Sequence, residues 1–202
     1  PGLAWYKLQD IELQRWPGAE IRQAEARSHF FDRLRREWDA ADIIIVNSEH
    51  ARQSMIDEGM QATKLRIVPL AFETVRVDRA RSAPSTSDKF RVLYAGNASL
   101  VKGFPYFAEA ATMLGPAFEF IAAGTVELSP EFLRKMNWPV QWLGRLDKAS
   151  LAKEYERAHA FVFPTLSDGF GQVQVEALSH GLPVISTPYC ARVVEHEQSG
   201  LC

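Results

Sequence analysis

Two carboxylates and one ammonium group stand where this chain could do chemistry. Asp168 lies in a glycine-rich loop, Asp168-Gly169-Phe170-Gly171. Glu176 follows after seven intervening residues, inside a segment of helical character that Gly181 stops. Gly169 and Gly171 let backbone approach a ligand with no Cβ in the way. The first N–H groups of the following helix have no intrahelical partner and suit an anion such as phosphate. An ionised carboxylate is acceptor-only with two oxygens, so Glu176 suits the two hydroxyls of a ribose diol. Lys102 follows the loop Asn97–Val101, just before a helix that begins near Gly103. A cation there can meet phosphates at the same sheet edge. Amides and a lysine for phosphate, with carboxylates for hydroxyls, together suit a sugar nucleotide. The plain alternative is a βαβ turn in which Asp168 caps the helix region, Glu176 is solvated and Lys102 is a surface lysine.

The elements that must position these residues alternate regularly in the second half of the chain. Continuous apolar runs predict strands near 90–95, 118–123, 140–143, 160–163 and 183–186. Helices are predicted near 103–114, 129–136, 148–157 and 172–180. Strands without polar alternation predict a parallel sheet covered on both faces, hence an α/β fold. Such sheets bind ligands beyond the carboxyl ends of their strands, where Asp168 falls. Upstream, residues 20–40 read as a helix, with Ile21, Ala24, Phe31, Leu34 and Trp38 at helical spacing. Asp42 to Asn47 and Leu65 to Leu70 read as strands. Between them, Ser48 is a good N-cap and Gly59 a good stop for a helix. Residues 1–19, with two tryptophans and two Pro-Gly pairs, show no period and read as irregular. Residues 74–89 hold Arg, Ser, Pro and Thr with little apolar content and read as a linker. They divide the chain into 1–73 and 90–202.

Several function classes are disfavoured. The third glycine of a dinucleotide fingerprint is missing, because Gly171 is followed by Gln172-Val173-Gln174. No Walker-type loop is present. A net charge of -2 gives no global pull toward nucleic acid. The two cysteines, Cys190 and Cys202, form neither a scaffold nor a metal-ligand spacing. A reducing cytoplasm is the simplest compartment for them. No apolar run reaches transmembrane length.

The ordered motifs carry a family resemblance. Phe161-Val162-Phe163-Pro164, Asp168-Gly169-Phe170-Gly171, Glu176-Ala177-Leu178 and Gly181-Leu182-Pro183-Val184-Ile185 resemble the donor-site signature of retaining GT-B glycosyltransferases of family four, the group 1 glycosyl transferases. In that signature two glutamates flank seven residues. Val92-Leu93-Tyr94-Ala95-Gly96 with Lys102-Gly103 resembles the first donor-domain strand and the phosphate-binding lysine. Val140-Gln141-Trp142-Leu143-Gly144-Arg145 resembles the family's "FLG" strand. Ala41 to Ser48 resembles the last strand of its first domain. The set spans roughly residues 40–201. Two positions depart from the pattern: Asp168 replaces the first Glu, and Asn97 replaces an Arg that often follows the first strand. A neutral amide lacks the bidentate cation of Arg, so Lys102 would carry more of the diphosphate charge.

The resemblance implies a two-lobed GT-B protein. Residues 1–73 would be the end of the acceptor-side Rossmann-like domain, and residues 90–202 a donor domain cut before its end. The activity implied is transfer of a sugar from a nucleotide-diphosphate sugar to a glycan, lipid or small-molecule acceptor, with retention, as in polysaccharide biosynthesis. Catalytic roles fall on Asp168, Glu176 and Lys102. Donor binding falls on Gly96, Asn97, Lys102, Gly124, Gly144, Arg145, Asp168, Gly169, Phe170, Gly171 and Glu176. Small residues Cys190 and Ala191 would face the donor sugar, and Arg192 suits either phosphate or a surface acid. No cofactor is expected. Without Asp-x-Asp or a histidine metal spacing, metal dependence is not expected either. The arginines Arg27, Arg33, Arg35 and Arg36 alternate with acids and read as a solvated helix face. In family terms the same stretch is the candidate for peripheral contact with an inner membrane face carrying a lipid-linked acceptor. Competing functions are a GT-B-like sugar-nucleotide epimerase, a phosphorylase, or a non-catalytic sugar-nucleotide-binding subunit.

Overall fold

A computed structural model describes residues 3–19, 27–72 and 89–202. Its main body is a six-stranded, wholly parallel sheet. The strands are β3 (Phe90–Ala95), β4 (Phe118–Ala123), β5 (Val140–Gly144), β6 (Ala160–Phe163), β7 (Val184–Ser186) and β8 (Gly200–Leu201). Their order is β5-β4-β3-β6-β7-β8. The chain builds outward from β3 to one edge, then returns to lay β6 on the other side of β3. This is the doubly wound order with one reversal, between β3 and β6.

Successive residues of β3 feed opposite faces, as the pleat requires. Val92 and Tyr94 join Phe104, Phe107 and Phe120 in one core. Leu93 and Ala95 join Ile121, Tyr155, Phe161 and Ala177 in the other. Helix α4 (Phe104–Leu114) covers the first face; α6 (Lys148–Arg157) and α7 (Gln172–Ser179) cover the second. Each helix starts where its sequence permits. Ser129 caps α5 (Pro130–Met136) through the Phe132 amide, and Asp147 caps α6 through the Ser150 amide.

A second, two-stranded parallel sheet pairs β1 (Ile44–Val46) with β2 (Leu65–Ile67), joined through α3 (Glu49–Asp57). Both strands are shorter than the apolar runs around them. Helix α2 spans Arg27–Ala40; the start of the helix predicted from residue 20 lies outside the described residues. So does the predicted linker, apart from Lys89.

One prediction is overturned: the stretch read as irregular holds a helix, α1, at Leu3–Arg15. Its apolar residues follow no single helical stripe, so the helix is held from outside. Trp16 is buried edge-on against Tyr106, Phe132 and Trp138, with ring centroids 6.0–6.4 Å apart. The Ser129 amide donates to the Ala19 carbonyl at 2.7 Å. Among the described residues, no helix is long and apolar enough to cross a membrane.

Candidate functional site

The crevice at the reversal between β3 and β6 is built by two backbone loops in close contact. Gly103, at φ +69°, caps α4, and a Cβ there would lie 1.8 Å from the Pro164 carbonyl oxygen. Only glycine tolerates both the dihedral and the approach. The Leu166 amide donates to the Val101 carbonyl at 2.8 Å, and the Thr165 hydroxyl reaches the same oxygen. These contacts bring the loop after β3 onto the loop after β6. Lys102 Nζ thereby pairs with Asp168 Oδ2, both side chains roughly three-quarters buried. The sequence predicted this shared edge; the structure places the two groups in direct contact.

Asp168 is engaged through its second oxygen as well. Its Oδ1 accepts from the amides of Phe170, at 3.0 Å, and Gly171, at 2.9 Å. A carboxylate of this length fits amides two and three residues ahead of it. The capping role of the plain-turn alternative is thus present, alongside a contact with Lys102 that the sequence reading did not include. Of the loop amides expected to face phosphate, those of Phe170 and Gly171 are donated to Asp168. Gly171, at φ +77°, starts α7, and a Cβ there would meet Phe163 at 2.5 Å. Phe170 is buried, and Gly169 lies against the Asn47 side chain.

Glu176 is not simply solvated. It is half-buried on α7 and accepts from the Tyr155 hydroxyl at 3.1 Å. Tyr155, on α6, is buried and stacks on His180. Burial first, and the adjacent Glu176 second, push the Tyr155 hydroxyl well above its ordinary pKa. It is therefore a fixed donor that orients one Glu176 oxygen.

The strand-end glycines form a bare ledge along β3, β4 and β5. The Gly96 amide donates to Ala123, and the Gly124 amide to Gly144. A Cβ on Gly124, at φ +139°, would sit 1.9 Å from the Gly96 carbonyl oxygen. Asn97 is committed sideways: its Oδ1 accepts from Thr125 at 2.5 Å and its Nδ2 donates to Glu127 at 2.9 Å. Its amide therefore ties the loop after β3 to the loop after β4. Arg145 is exposed at the end of β5. Cys190 and Ala191 are buried beside the Asp168 loop, whereas Arg192 is exposed. Burial pushes the Cys190 thiol up to about 11, so it is protonated at neutral pH.

Several positioning residues had no sequence signal of this role. Ser48, read only as an N-cap, accepts from the Ala51 amide and donates to the Gly169 carbonyl. It links the β1–α3 turn to the Asp168 loop. Gln174, fully buried, donates to the Phe170 carbonyl at 3.1 Å and holds the loop from below. The Asp168 amide donates to Tyr189, tying in the loop after β7. His50, in the first turn of α3, faces this region. Burial pushes its pKa below the ordinary value, against a smaller upward pull from Asp168. Beside it lies a cleft of about 420 Å³, lined by Glu12, Arg15, Tyr106, Ser167 and Tyr189 among others. Among the described residues, no group of three or more His, Cys, Asp or Glu is placed to hold a metal ion.

Residues 89–202, more than half the chain, match the family model described as glycosyl transferases group 1. The chain is 26% identical over 216 residues to D-inositol 3-phosphate glycosyltransferase of Pseudarthrobacter chlorophenolicus, covering 96% of this chain and 50% of that protein. It spans half or less of the length of the curated relatives it matches. Sucrose-phosphate synthase of Thermosynechococcus elongatus superposes with a TM-score of 0.68 at 23% identity, covering 96% of this chain and 52% of that one. Anabaena HepE, solved with UDP and glucose, gives 0.66 at 19% identity, covering 84% and 52%. At these identities the structural likeness speaks for the fold, the GT-B type.

Proposed function

The chain belongs to the glycosyl transferases group 1 family, and on that premise we propose that it carries the donor side of a retaining glycosyltransferase. The observation that carries this reading is the meeting of Lys102 and Asp168 at the reversal of the sheet, with Glu176 on the helix that starts from the Asp168 loop. The substrate is a nucleotide-diphosphate sugar. Lys102 holds the diphosphate, Glu176 takes the ribose hydroxyls, and Asp168 orients the donor sugar. The ledge of Gly96, Gly124 and Gly144, with Arg145 beside it, leaves room for the base.

The reaction breaks the bond from the anomeric carbon to the β-phosphate oxygen and forms one to an acceptor hydroxyl oxygen on the same face. The hydroxyl proton leaves with the nucleotide diphosphate. Charge builds on the departing diphosphate, and the Lys102 ammonium offsets it where water is partly excluded, an electrostatic contribution. No protein nucleophile and no metal is assigned a role. The acceptor is a glycan, lipid or small molecule, and UDP, which HepE holds, is the first nucleotide to try.

The test is calorimetric titration of the protein with UDP, GDP and ADP and with their glucose conjugates, beside a Glu176→Ala variant. One nucleotide should bind selectively, and the variant should weaken it about tenfold or more, as expected for two lost charge-assisted hydrogen bonds. In a transfer assay on the full-length protein, replacing Lys102 and Glu176 together should abolish turnover. Full activity in that double variant would sink the assignment.

A further inference from the structure

The Lys102–Asp168 pair raises a question of competition. An amide N–H is a single donor, and those of Phe170 and Gly171 are already given to Asp168 Oδ1. The ammonium of Lys102 faces the other oxygen of the same carboxylate. One side chain therefore engages the cation and two loop amides of the crevice. An incoming diphosphate can take the two amides only by displacing the carboxylate, and it can share the three-donor ammonium of Lys102 with Asp168 only against the repulsion of two adjacent anions.

Resting on the donor-site reading above, we propose that Asp168 is a specificity-determining residue that sets sugar nucleotide against bare nucleotide diphosphate. When a sugar nucleotide enters, its sugar hydroxyls supply Asp168 with new donors in place of those it yields. When the bare diphosphate occupies the site, Asp168 gains nothing and competes to return to Lys102. The residue thus weakens the leaving product more than the donor and favours its release.

The one-methylene reach of Asp is part of this device. It closes onto amides two and three residues ahead, an arrangement suited to short polar side chains. A Glu at the same position, longer by one methylene, would have to fold back to make both bonds. Serving as sugar ligand and as competitor are then two positions of one carboxylate.

The experiment compares wild type, Asp168→Asn and Asp168→Glu by calorimetry. The probes are UDP, GDP and ADP, the glucose conjugate of whichever binds, and the matching free nucleoside. Asp168→Asn keeps an oxygen for the two amides, so the loop stays capped, but it carries no charge for Lys102. It should bind the nucleotide diphosphate about three- to tenfold tighter than wild type, the range of a partly buried ion pair. The sugar conjugate should gain nothing or weaken, and the nucleoside should not change. A purely structural role would weaken all three ligands together. Asp168→Glu should fall between wild type and Asp168→Asn for the diphosphate. Wild type binding a nucleotide diphosphate as tightly as Asp168→Asn would overturn the inference while leaving the donor site standing. No binding of any nucleotide by any of the three proteins would remove the donor-site reading, and this inference with it.

Discussion

At Gly103 the missing Cβ decides whether Lys102 and Asp168 can meet. A methyl group there would lie 1.8 Å from the Pro164 carbonyl oxygen, at a φ of +69°. Gly103→Ala should cost about 2–4 kcal/mol, part of it the left-handed backbone and part the displaced loop. Urea unfolding reads the loss, and nucleotide affinity should fall with it, because the two loops separate. Tyr155→Phe is a milder change. It leaves the buried ring in place, removes the donor at 3.1 Å from Glu176, and should cost about 1 kcal/mol. If Glu176 holds the ribose, KM for the donor rises in that variant while kcat stays nearly level. Residue type and spacing left Asp168 and Glu176 open between a plain turn and a ligand site, and Lys102 was a candidate only through the family resemblance. Their partners were not legible. Neither the Tyr155 hydroxyl nor the Phe170 and Gly171 amides can be assigned to a carboxylate until the loops are folded.

Among the elements, the central strands and their helices were readable because each apolar run is continuous and each helix has a cap or stop. Ser129 and Asp147 cap as their residue types require. α1 was not readable, because its helical form depends on Trp16 docking against Tyr106, Phe132 and Trp138, residues remote in sequence. The first turn of α3 carries a pH dependence. His50 has a folded-state pKa below its ordinary 6.5, with burial the main cause. As pH falls, the unfolded chain takes this proton first, so stability is lost from about pH 6.5 downward and unaffected above it. The thermal midpoint of wild type should therefore drop more steeply between about pH 7 and about pH 5 than that of His50→Gln. Parallel curves for the two proteins would show that His50 does not titrate in this way.

For the molecule as a whole, the two sheets are unequally covered. The six-stranded sheet has a core on each face, whereas Ile43, Ile45, Val68 and Leu70 around β1 and β2 are exposed, Ile45 by 68%. Parallel strands are normally buried on both faces, and an exposed apolar strip of this kind favours association. The 202-residue chain should self-associate as its concentration rises, and Ile45→Lys should reduce that in light scattering without lowering the thermal midpoint. The strand order at the heart of the larger sheet has a consequence in time as well as in space. β4 and β5 follow β3 in the chain and build onto one of its sides, but the opposite side waits for β6. Until β6 arrives, Val92 and Leu93, buried in the finished fold, have no neighbour there. A nascent chain released before Ala160 would already possess Lys102, yet it would show an open strand edge, the kind of surface that chaperones hold and that aggregates recruit.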